Sequence, residues 1–210
     1  AQKWFGPIPA RKIPPRQLPK EQPQTAIRRK TVERKVPVDA IYMAFHMSNR
    51  MHPDYYVYDM ITDILSNGRS SRFVQSLVQD QKQFTSIDAY ISGSLDEGLL
   101  HITGKPAAGI SLEQAEEAIW KELEKMKTVP VSEQELEKVK NRYESEQIFN
   151  NINYLNVATN LAFFELTGKA EDINDEVNKY RAVTAPQIQA VSAKCFIPEN
   201  CSILYYKAIP

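Results

Sequence analysis

Residues that carry chemistry are scarce in this sequence. There are two cysteines, Cys195 and Cys201, too few for a disulfide framework or a thiolate zinc site. They could pair with each other, but two buried reduced thiols are the expectation. That leans towards a reducing compartment such as the cytoplasm and leaves a bacterial periplasm open. The three histidines are His46, His52 and His101. His46 and His52 stand six apart with Asp54 nearby, yet a zinc site needs several ligands converging on one point, so structural or surface roles are expected. Seven glycines leave no phosphate loop: Gly104-Lys105-Pro106 lacks the preceding glycine and the following Ser or Thr. No Gly-x-Ser-x-Gly elbow occurs, and Ser92-Gly93-Ser94 reads as a strand end. No run approaches the roughly 20 apolar residues of a membrane span, and the first residues lack the apolar stretch of a signal peptide.

Net charge is also absent, but its zero sum hides a division. Residues 1–37 hold ten Lys and Arg against two Glu, and the remainder holds sixteen basic against twenty-four acidic residues. The first stretch also contains seven of the thirteen prolines. Proline removes an amide donor and restricts its predecessor, so residues 1–28 read as an extended basic linker and 29–210 as the folded domain. A linker at the start of a chain leads to the expectation of a missing N-terminal partner. The basic arm has little aromatic interleaving beyond Trp4-Phe5 and no recognition motif after it. It is therefore read as a solvated linker, and no nucleic-acid partner is expected.

The rest alternates between two periods. Lys30–Val36 alternates like a strand, and Ala40–Met47 is a nearly continuous apolar run suited to a buried one. Pro53 opens a helix whose Tyr56, Met60, Ile61, Ile64 and Leu65 recur at helical spacing, with Asn67-Gly68 as its stop. A short helix over Ser71–Gln81 precedes two strands, Thr85–Ser94 and Leu99–Lys105, joined by a turn at Leu95–Gly98. Gly104 and Gly109 are expected to shape the connection to the next helix. Ser111-Leu112-Glu113-Gln114 and Ser132-Glu133-Gln134-Glu135 both fit the capping box. The first opens a helix to about Lys127 and the second a long helix to Leu166, ended by Gly168. Helices near Asp172–Arg181 and Thr184–Phe196 and a strand at Cys201–Tyr206 complete the set. This order predicts an α+β fold of two layers, with helices on one face of a largely antiparallel sheet. The first-turn carboxylates Glu133, Glu135 and Glu137 offset a helix dipole and need no catalytic role.

Three segments carry a resemblance. Trp4-Phe5-Gly6-Pro7-Ile8-Pro9 and the Pro-rich stretch after it look like the inter-half linker of bacterial pitrilysin/insulinase-type zinc metallopeptidases, the inverzincins. Leu65-Ser66-Asn67-Gly68-Arg69-Ser70-Ser71-Arg72-Phe73 resembles their Gly-x-x-Ser-Arg-Leu segment, with Phe73 in place of leucine. The hairpin from Thr85 to Lys105 and the helices from Ser111 and Ser132 then follow in family order.

The resemblance implies a clam-shell enzyme of two similar halves around a chamber, related to mitochondrial processing peptidase. The first half carries zinc on an inverted His-x-x-Glu-His motif, which this sequence lacks. By position the chain is expected to be the non-catalytic C-terminal half, inactive alone and without a cofactor of its own. Its implied partners are an N-terminal catalytic half and peptide substrates, a homodimer being a further option. The family's Arg and Tyr that approach the substrate correspond to Val78 and Thr85, which cannot replace them. Arg72, Lys82 and Tyr90 are the candidate substitutes for peptide binding. A structural subunit of processing-peptidase type, without proteolysis, is the alternative.

Overall fold

A computed structural model describes residues 2–12, 14, 19 and 21–210. Part of the expected linker, at positions 1, 13, 15–18 and 20, lies outside the described residues. One exposed turn of helix, α1 (Gln2–Phe5), forms ahead of the prolines.

The sheet has five strands: β1 (Arg28–Arg34), β2 (Ala40–Met47), β3 (Phe84–Ser92), β4 (Gly98–Pro106) and β5 (Cys201–Ala208). Their spatial order is β1-β5-β2-β4-β3. Only β1 and β5 pair in parallel, and the other ladders are antiparallel. The period of two settles which face is covered. In β2, Ile41, Met43, Phe45 and Met47 are buried while Tyr42 is exposed. In β4, Leu100 and Ile102 are fully buried and their neighbours only half so.

The helical elements are α2 (Asp54–Ser66), a π-helical segment (Val74–Asp80), α3 (Leu112–Thr128), α4 (Glu133–Asn150), α5 (Tyr154–Thr167), α6 (Glu176–Arg181) and α7 (Ala185–Cys195), of which α2, the π-helical segment, α3 and α7 pack on that inner face. Phe45 anchors the two layers, meeting Phe196 at 5.2 Å and Trp120 at 5.7 Å, both edge to face. Buried Glu116 on α3 ties three elements together. It accepts from Arg29 of β1, from the Tyr205 hydroxyl of β5 at 2.6 Å and from Trp120 Nε1 at 3.1 Å. Burial opposes its ionisation, but the Arg29 and Tyr205 hydrogen bonds outweigh that, and its carboxyl lies below the usual range.

The two-layer α+β architecture is the one the sequence implies, with four local differences. The expected long helix from Ser132 is two helices. Asn150-Asn151-Ile152-Asn153 interrupts it, and the Asn153 side chain accepts from the Leu155 amide and starts α5. Short amides compete with helical backbone bonding and favour caps, which the apolar periodicity does not register. Ser132 makes only half of its expected box: it accepts from the Glu135 amide, while the Glu135 carboxylate is taken by Arg72. The Ser111–Gln114 box is complete. The segment read as one helix over 172–181 is a 3-10 turn, Ala170–Asp175, leading into the short α6. Finally, Gly109 does shape the connection, at a φ of 85° that side chains rarely adopt, but Gly104 lies inside β4. A Cβ there would sit 2.6 Å from the Phe84 ring, so Gly104 makes room for a core aromatic.

Candidate functional site

Among the described residues no group of three or more His, Cys, Asp or Glu is arranged to hold a metal ion. His52 Nδ1 accepts from the Asp54 amide at 3.1 Å, a local turn contact. His46 lies near the end of β2, opposite Leu99. His101 stacks on Tyr90 at 4.9 Å and its Nε2 is 3.1 Å from Ser92 Oγ, with partial burial lowering its pKa. Cys195 and Cys201 are both free and buried, and burial pushes both thiols up. No helix among the described residues is long and apolar enough to cross a membrane.

The three residues named for peptide binding occupy different surroundings. Arg72, just ahead of the π-helical segment, makes a bidentate pair with Glu135 at 2.9 and 2.8 Å and clasps that segment to α4. Lys82 has a φ of 52°, left-handed backbone for a non-glycine residue, in the turn before β3. Tyr90 is exposed on the sheet face away from the helices. Of the two positions that depart from the family pattern, Val78 packs against the core. Thr85 donates its hydroxyl to the Lys105 carbonyl at 3.1 Å.

That outer sheet face is uncovered. Across it run two shallow grooves, one of about 340 Å³ bordered by Lys30, Tyr42, Tyr90, His101, Thr103 and Leu204, and a neighbour of about 190 Å³ reaching Asp88 and Lys105. Tyr42 meets Tyr206 edge to face at 6.3 Å. In the segment 70–84, Phe73, Leu77 and Phe84 are buried in the core. The exposed apolar side chains are concentrated on α4 and α5 instead.

Sequence reasoning missed a polar cluster between α2, α4 and α6. Arg50 donates to Glu176 at 2.5 Å, Tyr56 donates to the other Glu176 oxygen at 3.3 Å, and Tyr180 donates to Asp59 at 2.5 Å. The Tyr143 and Tyr180 rings stack at 3.5 Å, and Arg50 lies over Tyr55 at 4.2 Å. Burial raises the Asp59 carboxyl despite the Tyr180 hydrogen bond, and raises the Tyr180 hydroxyl, with Asp59 adding to it. Beside the cluster opens a cavity of about 440 Å³ lined by Met51, Tyr56, Val57, Phe163, Phe164 and Val183, with Lys179 among its few charged groups. Arg50 and Lys179 both face Glu176, so two cations share one carboxylate. Such a network holds helices in register and offers no nucleophile or base poised at an open position. Its ion pair spans 126 residues, so no local spacing announces it.

No curated protein matches the chain. Its fold resembles a protease from Helicobacter pylori, with 20% identity and a TM-score of 0.91, over 98% of this chain and 50% of that one. A peptidase M16 inactive domain from Pseudomonas fluorescens is similar at 15% identity and TM-score 0.73, over 94% and 47%. A chain of complex III2 from Candida albicans, solved with Inz-5 bound, is similar at 16% and 0.71, over 84% and 45%. The chain thus spans about half the length of each of these three. At these identities the likeness concerns the fold, but residues 1–143 also match the family described as the peptidase M16 inactive domain. With that match covering more than half of the sequence, and with the fold agreeing, the chain belongs to the peptidase M16 inactive-domain family.

Proposed function

We propose that the chain is the non-catalytic half of a zinc metalloendopeptidase, closing a substrate chamber and helping to hold peptide. In this reading a separate catalytic half carries the zinc on a His-x-x-Glu-His motif, where the metal activates water. Residues 1–28 are the tether between the halves. The observation that carries the reading is the inactive-domain match over residues 1–143. The uncovered sheet face supports it, since its grooves mix aromatic rings with polar groups, as a surface meeting extended peptide needs. On that face Tyr90 is the better candidate for peptide contact than Arg72, whose guanidinium is engaged by Glu135.

The similarity to a chain of complex III2 favours a second reading, a structural subunit without proteolysis. One experiment separates the two. The catalytic half and this chain are expressed separately, and peptide hydrolysis is measured alone and mixed. The chamber reading expects activity only in the mixture, reduced by Tyr90→Ala. A catalytic half fully active by itself would remove the chamber role. A partner half with no His-x-x-Glu-His motif and no activity in the mixture would favour the scaffold.

A further inference from the structure

The cavity beside the buried polar cluster holds a cationic donor that nothing uses. Arg50 lines it from the β2–α2 connection, with its side chain 18% exposed. Nη2 of Arg50 donates to Glu176 at 2.5 Å, but Nη1 is buried and has no hydrogen-bond partner among the described residues. A guanidinium stays charged at any ordinary pH, and a buried N–H left without an acceptor is costly. The balance of charge points the same way. Both Glu176 oxygens are engaged, one by Arg50 and the other by the Tyr56 hydroxyl, while Lys179 Nζ comes no nearer than 3.8 Å. Asp172, the carboxylate that lines the cavity, accepts from the Lys169 amide at 3.1 Å. That leaves Arg50 and Lys179 as the groups with capacity for a further acceptor.

The rest of the wall is apolar. Tyr56 and Val57 of α2, Phe163 and Phe164 of α5, and Val183 form most of it. A volume of about 440 Å³ and an apolar lining with a few placed polar groups are those of a small-ligand pocket. Because Nη1 is buried, a group that meets it has to enter the cavity, which a protein surface laid flat over α5 does not do. The wall that yields to such a group is α5. None of its residues is buried, and the Phe163 ring lies 6.0 Å from the Arg50 guanidinium carbon. We propose that this cavity binds a carboxylate joined to an aromatic or branched apolar group. The carboxylate meets Arg50 and Lys179, and the apolar group lies against Phe163, Phe164 and Val183. The C-terminal residue of a peptide and a free aryl or branched-chain acid share that chemistry. The site lies among the helices, away from the outer sheet face, and does not depend on the chamber reading.

Isothermal titration calorimetry of the chain with N-acetylphenylalanine, its amide and 3-phenylpropionate tests this. The expected result is one site per chain with a dissociation constant of about 1 mM or below, the range for ligands this small. The amide lacks the charge and should bind at least tenfold more weakly. Tighter binding of N-acetylphenylalanine than of 3-phenylpropionate would assign the site to peptide ends, and equal or reversed affinities to free acids. Thr167→Trp fills the cavity from α5 and should abolish binding without changing circular dichroism or melting temperature, since no residue of α5 is buried. Lys179→Gln should weaken binding several-fold and Arg50→Gln at least tenfold. Arg50 also holds Glu176, so if Arg50→Gln does not fold, Thr167→Trp, Lys179→Gln and the amide decide the matter. No binding of either acid at about 10 mM, equal affinity for N-acetylphenylalanine and its amide, or binding indifferent to Thr167→Trp would each overturn the proposal.

Discussion

The sheet with α3 and the arm made of the end of α4 and α5 use similar residues in opposite ways. Phe45 and Phe149 are both phenylalanines with an apolar residue before and a polar one after, yet Phe45 is fully buried and Phe149 is 68% exposed. In the sheet region apolar residues recur with the period of the element, so one face can be removed from water while the other stays polar. On α5 they recur around the helix, in Tyr154-Leu155-x-Val157 and Leu161-Ala162-Phe163-Phe164, and no single face collects them. Hydrophobicity alone does not bury a helix. A stripe that matches an available surface does.

The largest expected effect follows from that contrast. Phe45→Ala removes a ring held between Phe196 and Trp120 and should cost about 3–5 kcal/mol, the usual range for deleting a buried aromatic. Phe149→Ala should stay within about 0.5 kcal/mol on the monomer, as exposed substitutions do. Urea unfolding of both variants, at concentrations where the chain is monomeric, checks the pair. If Phe149→Ala cost as much as Phe45→Ala, the arm would belong to the core and the comparison would fail.

The same contrast explains how much could be read in advance. The strands, the cap at Ser111 and the two-layer class were legible, because each rests on spacing within a dozen residues. The break at Asn150–Asn153 was not, since the apolar period continues across it while side-chain amides decide the backbone. Of the candidate site the sequence offered only the names Arg72, Lys82 and Tyr90, without their surroundings. The engagement of Arg72 by Glu135, 63 residues away, and the Arg50–Glu176 pair are products of the tertiary fold. Nothing local distinguishes Glu135, which pairs with Arg72, from Glu133 in the same first turn.

A smaller effect, with a pH signature, concerns Asp63, near the end of α2 where the helix passes from the core towards α4. Burial raises its carboxyl to about 6, with the Asn67 amide partly offsetting this. A carboxyl whose folded value lies above its unfolded value of about 3.9 favours folding most when protonated. Its contribution is therefore fully present below about pH 4 and is lost as pH rises through 6. Asp63→Asn keeps an acceptor for Asn67 and has no charge to desolvate. It should stabilise the chain at pH 7.5 by about 1 kcal/mol, allowing for partial solvent screening. The gain should disappear near pH 4. Chemical unfolding of both proteins at pH 4, 6 and 7.5 reads the difference, and a constant gap across that range would remove the assignment to Asp63.

The smallest global effect is expected where the two regions join. Asn153 caps α5 by accepting from the Leu155 amide at 2.9 Å, and replacing such a cap with alanine typically costs a helix about 0.5–2 kcal/mol. In a core helix that cost would appear in the global unfolding free energy. In α5 it should not, because a helix with no buried residue opens without disturbing the sheet. Asn153→Ala should therefore leave the melting temperature of the monomer unchanged within about a degree. Amide hydrogen exchange over 154–167 should rise several-fold, while exchange in β2 and β4 stays as it was. Protection that is uniform across α5 and the sheet, with a fall of several degrees in melting temperature, would mean that the arm unfolds together with the core.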